Sequence, residues 1–248
     1  MENTYNILVV GENPDNLLSK YNKNLHYEPY IKFAKNNASQ LKKEKIQILE
    51  RIQQNSSNLH LSPIQLDLLN VSLSELKKMS DEDYFMSFTA DYKHDNEGNA
   101  ISTDNPNGKW SSYTVGKDFS YPFKLKNGNL VFQCHVNDVN WSTMHLANTD
   151  IYDKAWDIIH QKITPTSKLE QTIFSNFDVL KEQISHFSSK EEYIKYNCSY
   201  YTYAYLDSNG WVDIEDCSNQ YNWITTFYER FILPLQNNEI ISIYEYKK

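Results

Sequence analysis

Asn105-Pro106-Asn107-Gly108-Lys109-Trp110-Ser111-Ser112-Tyr113-Thr114-Val115-Gly116-Lys117-Asp118-Phe119-Ser120-Tyr121-Pro122-Phe123-Lys124-Leu125 runs through the middle of the chain. It reads as two short strands, 110–115 and 119–125, around a turn at Gly116-Lys117-Asp118. Lys126-Asn127-Gly128-Asn129 then supplies residues that tolerate positive φ, as a hairpin turn requires, and 130–136 returns as the next strand. Strands joined by hairpins point to an antiparallel sheet. The stretch also carries more aromatic, glycine and charged residues than strand alternation needs, so it is the first place to look for a site.

Outward from there, Asn6-Ile7-Leu8-Val9-Val10 is a continuous apolar run ending at Gly11, the pattern of a strand buried on both faces. Gly11-Glu12-Asn13-Pro14-Asp15 follows as a turn, with Pro14 suited to open a short helix. A strand, a glycine and a helix suggest a phosphate loop, but neither G-x-G-x-x-G nor Gly-Lys-Ser/Thr is present. Residues 26–33 alternate loosely, and Pro29 marks an edge or bent strand. The polar run 35–54 has Leu41, Lys45, Ile48, Leu49 and Ile52 at helical spacing. Two shorter helices are expected at 64–69 and 73–79, opened by Ser62-Pro63 and Ser72, and 84–92 reads as extended.

Towards the C-terminus the period turns helical between 150 and 196, with Leu169, Ile173, Phe174, Phe177, Leu180 and Ile184 on one face and a start near 164–167. Residues 200–206 read as a tyrosine-rich strand with Tyr201, Tyr203 and Tyr205 on one side, hairpinned through Asp207-Ser208-Asn209-Gly210 to 211–214. A helix at about 219–233 buries Trp223, Ile224, Phe227, Tyr228, Phe231 and Ile232, and 239–246 is a last strand placed beside the first. The whole reads as α+β: an antiparallel sheet with helices packed on one face. A single composite domain over 1–248 is expected, with a helical insertion at about 35–83.

Composition narrows the function classes. The 248 residues carry 24 basic and 32 acidic side chains, a net charge of -8. That disfavours a direct grip on a nucleic-acid backbone, which needs a basic face; Lys42, Lys43, Lys45 and Arg51 on the long helix are the candidates for one. Cys134, Cys198 and Cys217 are an odd, unpatterned set, expected as reduced thiols of a cytosolic protein. No secretory signal and no membrane-spanning run is read, and no cofactor or metal is expected.

Lys109, Trp110, Tyr113, Lys117, Asp118 and Asp138 form a candidate ligand pocket, although Trp110 and Tyr113 packed within the sheet is the favoured reading. Cys134 and His135 adjoin on a strand and so face opposite ways, which excludes them as a dyad with each other. The acidic sets Asp150/Asp153/Asp157 and Asp213/Glu215/Asp216 read first as solvated surface, and His94-Asp95-Asn96-Glu97 as a loop lacking the ligand run of a calcium site. Tyr121, Trp141 and Trp156 fit no core pattern and are candidate partner-binding anchors.

The central stretch resembles a family of uncharacterised phage and prophage proteins with the hallmark Asn-Pro-x-x-Lys-Trp-Asp-Trp-Tyr-x-x-Gly-Gly-Arg-Trp. Asn105, Pro106, Lys109, Trp110, Tyr113 and Gly116 match it. Tyr203-Ala204-Tyr205-Leu206-Asp207 with Gly210-Trp211, Val136 to Trp141, and Phe231-Ile232-Leu233-Pro234-Leu235 are similar to further segments, so scattered matches cover most of the chain. Ser111, Ser112, Lys117, Asp118 and Phe119 depart from it. An arginine at the glycine turn would hold an anion, whereas Asp118 repels one. The phage setting that the resemblance implies, the absence of a catalytic constellation, the acidic balance and the aromatic richness together suggest a non-catalytic accessory protein that binds and inhibits a host protein, with a bacterial defence component such as a CRISPR effector inferred from that context. The alternative is a small-ligand protein binding or hydrolysing a nucleotide-like signal at the central motif.

Overall fold

A computed structural model describes residues 3–56, 61–116, 121–161 and 177–248. The fold is α+β. Strands are numbered along the chain: β1 (Thr4–Val10), β2 (His26–Phe33), β3 (Lys93–His94), β4 (Ala100–Asp104), β5 (Ser112–Val115), β6 (Phe123–Lys124), β7 (Leu130–Val131), β8 (Gln133–His135), β9 (Ala204–Asp207), β10 (Gly210–Asp213) and β11 (Ile240–Lys247). The chain divides into two compact units, Asn24–Pro106 forming one and the residues on either side of it the other. This differs from the single composite domain with a helical insertion at 35–83. Antiparallel pairing of β2 with β4 draws the strands flanking the helices into the inserted unit and gives it a sheet of its own.

The larger unit is built on β1 and β11, antiparallel from Thr4↔Lys247 to Val10↔Ile241. Sheet order is β10-β9-β1-β11-β5, with β8 also on β11; β1 and β9 are its parallel pair. The apolar run of β1 works on both faces, as its lack of alternation implies. Leu8 and Val10 join Ile241 and Ile243 on one side, and Ile7 and Val9 join Tyr244 and Tyr246 on the other.

The first side is covered by the helix Gln220–Phe227, continued by a π-turn Tyr228–Ile232, with Trp223, Phe227 and Ile232 buried. Asn219 caps it by accepting the N–H groups of Tyr221 and Asn222, which would otherwise lack partners. The other side is closed by Leu18 of the short helix Pro14–Ser19 and by Trp110. Gly11 ends β1 at φ +140°, a backbone state closed to other residues. Both expected hairpin turns form, joining β6 to β7 and β9 to β10.

Helices Thr149–Gln161, Phe177–Ser185 and Lys190–Cys198 share a smaller core of Ala155, Ile158, Leu180, Ile184 and Tyr193. Lys190 ties Asp153 and Asp157 together across two of them, so those carboxylates are structural. Leu169, Ile173 and Phe174, and the expected helix start at 164–167, lie outside the described residues.

In the inserted unit β2, β4 and β3 form an antiparallel sheet with β2, which holds Pro29, at its edge. Two expectations are corrected here. Residues 63–78 form one helix, not two, because nothing between Ile64 and Lys78 breaks it and Ser62 with Gln65 closes a reciprocal cap. Residues 81–88 are helical rather than extended: Ser80 caps the start, and Asp81, Glu82 and Asp83 favour its positive end. Lys42 is bound to Asp81 and the Met79 carbonyl, which depletes the supposed basic face. Among the described residues no helix is long and apolar enough to cross a membrane.

Candidate functional site

The expected central pocket does not assemble. Trp110 is buried, its indole N–H donating to the Leu18 carbonyl at 3.0 Å, and Tyr113 stands edge-on to it at 4.7 Å. Tyr113 donates its hydroxyl to Asp15 at 2.9 Å; burial first, and then that carboxylate, push its phenol up to about 12. Both rings belong to the Pro14–Ser19 side of the sheet. Asp138 is exposed, and its neighbours Val136 and Val139 belong to the opposite core. Lys117 and Asp118 lie outside the described residues.

Lys109 instead meets the acidic set, reaching Asp213 at 3.3 Å and Asp216 at 3.6 Å. Burial works against the Asp213 charge, but the Trp211 indole N–H and Lys109 outweigh it and hold the carboxyl below its usual range. Asp213 also accepts the N–H groups of Glu215 and Asp216, capping the turn it opens. This cluster is a structural joint that the sequence spacing alone presents as surface acids.

A wide cleft lies elsewhere in the larger unit. With a volume of about 750 Å³, it is walled by Tyr5, Tyr121, Tyr152, Tyr200, Tyr201 and Tyr203. It forms because 200–203 does not join the sheet as expected. Asn6 accepts the Tyr203 N–H at 2.8 Å, and the Thr202 carbonyl accepts the Trp223 indole N–H at 2.8 Å, so side chains distant in sequence take the place of a strand ladder. Strand alternation therefore fails. Tyr200 and Tyr205 enter the same core, while Tyr201 turns out to solvent, 42% exposed.

The cleft's other walls come from distant segments. Tyr5 and Tyr203 pack with ring centres 4.2 Å apart, and Lys248 lies over both at 5.2 and 5.1 Å. Glu215 holds both Lys248 and the Tyr203 hydroxyl; burial and then that carboxylate raise the Tyr203 phenol. Tyr121 stands at the mouth, 85% exposed. Trp141 is half-buried against Tyr200, Phe123 and Tyr228, and its indole N–H donates to the Val136 carbonyl. Trp156 is half-buried and stacked on His160 at 4.1 Å. Of the three anchor candidates, then, Tyr121 is presented openly and the two tryptophans serve packing.

Among the described residues lining the cleft, Lys124 is the single charged one. Asn6, Asn148 and Asn197 add amide groups, and Cys198 adds a thiol. Burial, then Asp150, push that thiol up to about 11, and burial, then Asp138, do the same for Cys134. Protonated thiols are poor nucleophiles at neutral pH. The arrangement suits stacking and hydrogen bonding on a neutral, partly apolar surface. Comparison with protein-family models, curated proteins and solved structures finds no match.

Proposed function

We propose that this chain is a non-catalytic accessory protein of a phage or prophage that acts in the bacterial cytoplasm by binding and inhibiting a host protein, with a defence component such as a CRISPR effector as the class to test first. The partner is held at the tyrosine cleft. The observation carrying this reading is that cleft, whose rings are fixed by packing at its floor and open at its mouth. Tyrosine supplies large contact area at low entropic cost and a hydroxyl for hydrogen bonding, the chemistry of protein interfaces. The resemblance of the central stretch supports the phage setting.

A nucleotide-like small ligand is the second reading, favoured by one observation: the cleft is within the size of small-molecule sites and joins flat rings to a lysine. It is transferred here from the central motif, where Trp110 and Asp138 fail to converge.

Capture from a host lysate expressing several defence systems, comparing the wild-type chain with a Tyr121→Ala/Tyr201→Ala double variant, separates the readings. A stoichiometric protein that survives nuclease and moderate salt, and is lost from the double variant, is the expected result. Equal capture by both chains contradicts the cleft as the site, and a co-purifying nucleotide without protein moves the function to the second reading.

A further inference from the structure

One corner of the cleft is tied shut through a histidine. His145 is 11% exposed at its side chain and lies flat on Tyr228, ring centres 4.0 Å apart. Its Nδ1 is 3.3 Å from the backbone nitrogen of Tyr200. A backbone N–H can only donate, so Nδ1 presents its lone pair and the ring proton is assigned to Nε2. The next residue, Leu146, donates its own N–H to the Cys198 carbonyl at 2.7 Å. These two bonds fasten residues 144–148 to the end of the helix Lys190–Cys198. Both sides of the fastening wall the cleft, Ala147 and Asn148 from one and Asn197 and Tyr201 from the other.

The fastened segment is strained. Leu146 sits at φ +52° and Asn148 at φ +58°, left-handed conformations that are unfavourable for leucine above all. Such conformations persist where surrounding contacts impose them.

We propose that His145 is a protonation-controlled latch on the tyrosine cleft: the neutral ring accepts the Tyr200 N–H and keeps the corner closed, and the protonated ring releases it so that the corner opens. A proton taken from solvent onto Nδ1 points at the Tyr200 N–H, and attraction becomes repulsion. The Glu229 carboxylate, 4.0 Å from Nε2, offers the imidazolium a partner on its other side. The groups facing the ring are Tyr228 and Glu229 from the segment 228–232 and Lys195 from the helix Lys190–Cys198. Burial lowers the proton affinity of His145, Glu229 raises it and Lys195 lowers it, leaving it below the usual 6.5. The latch is therefore shut at neutral pH and opens on acidification. Its control of partner binding rests on the cleft being the recognition site; the latch itself does not.

Nitrogen NMR of the full chain, without a partner, from about pH 8 to about pH 5 tests it. At the high end the His145 ring should carry its proton on Nε2. On acidification it should titrate below 6.5, with the Tyr200, Ala147 and Asn148 amides moving at the same midpoint. Measured against the intrinsic exchange rate at each pH, protection of the Tyr200 amide should fall at least about tenfold in the protonated state. A ring that titrates while those amides stay still, or that carries its proton on Nδ1 at high pH, overturns the latch. His145→Asn keeps an acceptor oxygen near the place of Nδ1 but cannot titrate, so a surviving transition in that variant also overturns it. If the variant does not fold, the wild-type titration decides alone. A partner captured with unchanged affinity across the transition refutes control of binding, whereas failure to capture any partner refutes the proposed function and leaves the latch standing.

Discussion

The two units solve burial differently. In the larger one a sheet is covered on both faces, and Trp223, Phe227, Phe123 and Tyr246 are fully enclosed. The inserted unit encloses Phe85 and Ala100. It leaves Ile64, Leu68 and Val71, successive positions on one helix face, 74%, 63% and 55% exposed. Caps and surface pairs, such as Ser62 with Gln65 and Lys77 with Glu50, add to the burial of Leu73, Leu76, Tyr84 and Phe85 in holding these helices. The cleft is found in the unit that holds the doubly covered sheet, lined by Tyr5 and Ile243 from that sheet and by the segments 143–152 and 197–203 beside it.

The sharpest way to break this contrast is to remove one large ring from each unit. Trp223→Ala deletes a fully buried indole and its bond to Thr202, and should cost about 3–5 kcal/mol. Phe85→Ala should melt the inserted unit at lower temperature while the larger unit holds. All five tryptophans lie outside 24–106, so their fluorescence reports the larger unit alone, and circular dichroism reports both. Coincident transitions by the two probes in Phe85→Ala would show that the units unfold as one.

A smaller effect is expected at the joint of Lys109 with Asp213. Asp213→Asn should destabilise the larger unit by about 1–3 kcal/mol in denaturant titration near neutral pH. The folded carboxyl titrates below its ordinary 3.8, so its contribution is present above that pH and is lost as pH falls through the folded value. The gap between wild type and variant should therefore close below about pH 4; a gap that persists there would assign the effect to packing instead of charge.

Much of the larger unit is legible locally. The apolar run at 6–10, the turns Asn127-Gly128 and Asp207 to Gly210, and the spacing of Trp223, Phe227 and Ile232 each carry their own signal. So does the last strand, whose pairing with β1 is found as expected. The helix at 81–88 is legible too, in Ser80 followed by three acids. What is not legible depends on contacts across the chain. Period-two counting places Tyr201, Tyr203 and Tyr205 on one face, because it cannot know that Asn6 takes the Tyr203 N–H. The cleft gathers residues 4–6, 121–124, 143–152 and 197–203, no one of which is a motif. The central motif stands out in sequence, yet its Trp110 serves the core.

Hydrogen exchange of the protein alone and in complex with its captured partner separates recognition at the tyrosine cleft from recognition on the inserted unit, because it reads both units at once. Protection on binding at 121–124, 144–148 and 197–203 is the predicted result. Protection confined to the exposed face of 63–78, with the cleft segments unchanged, would contradict it and place recognition on the inserted unit.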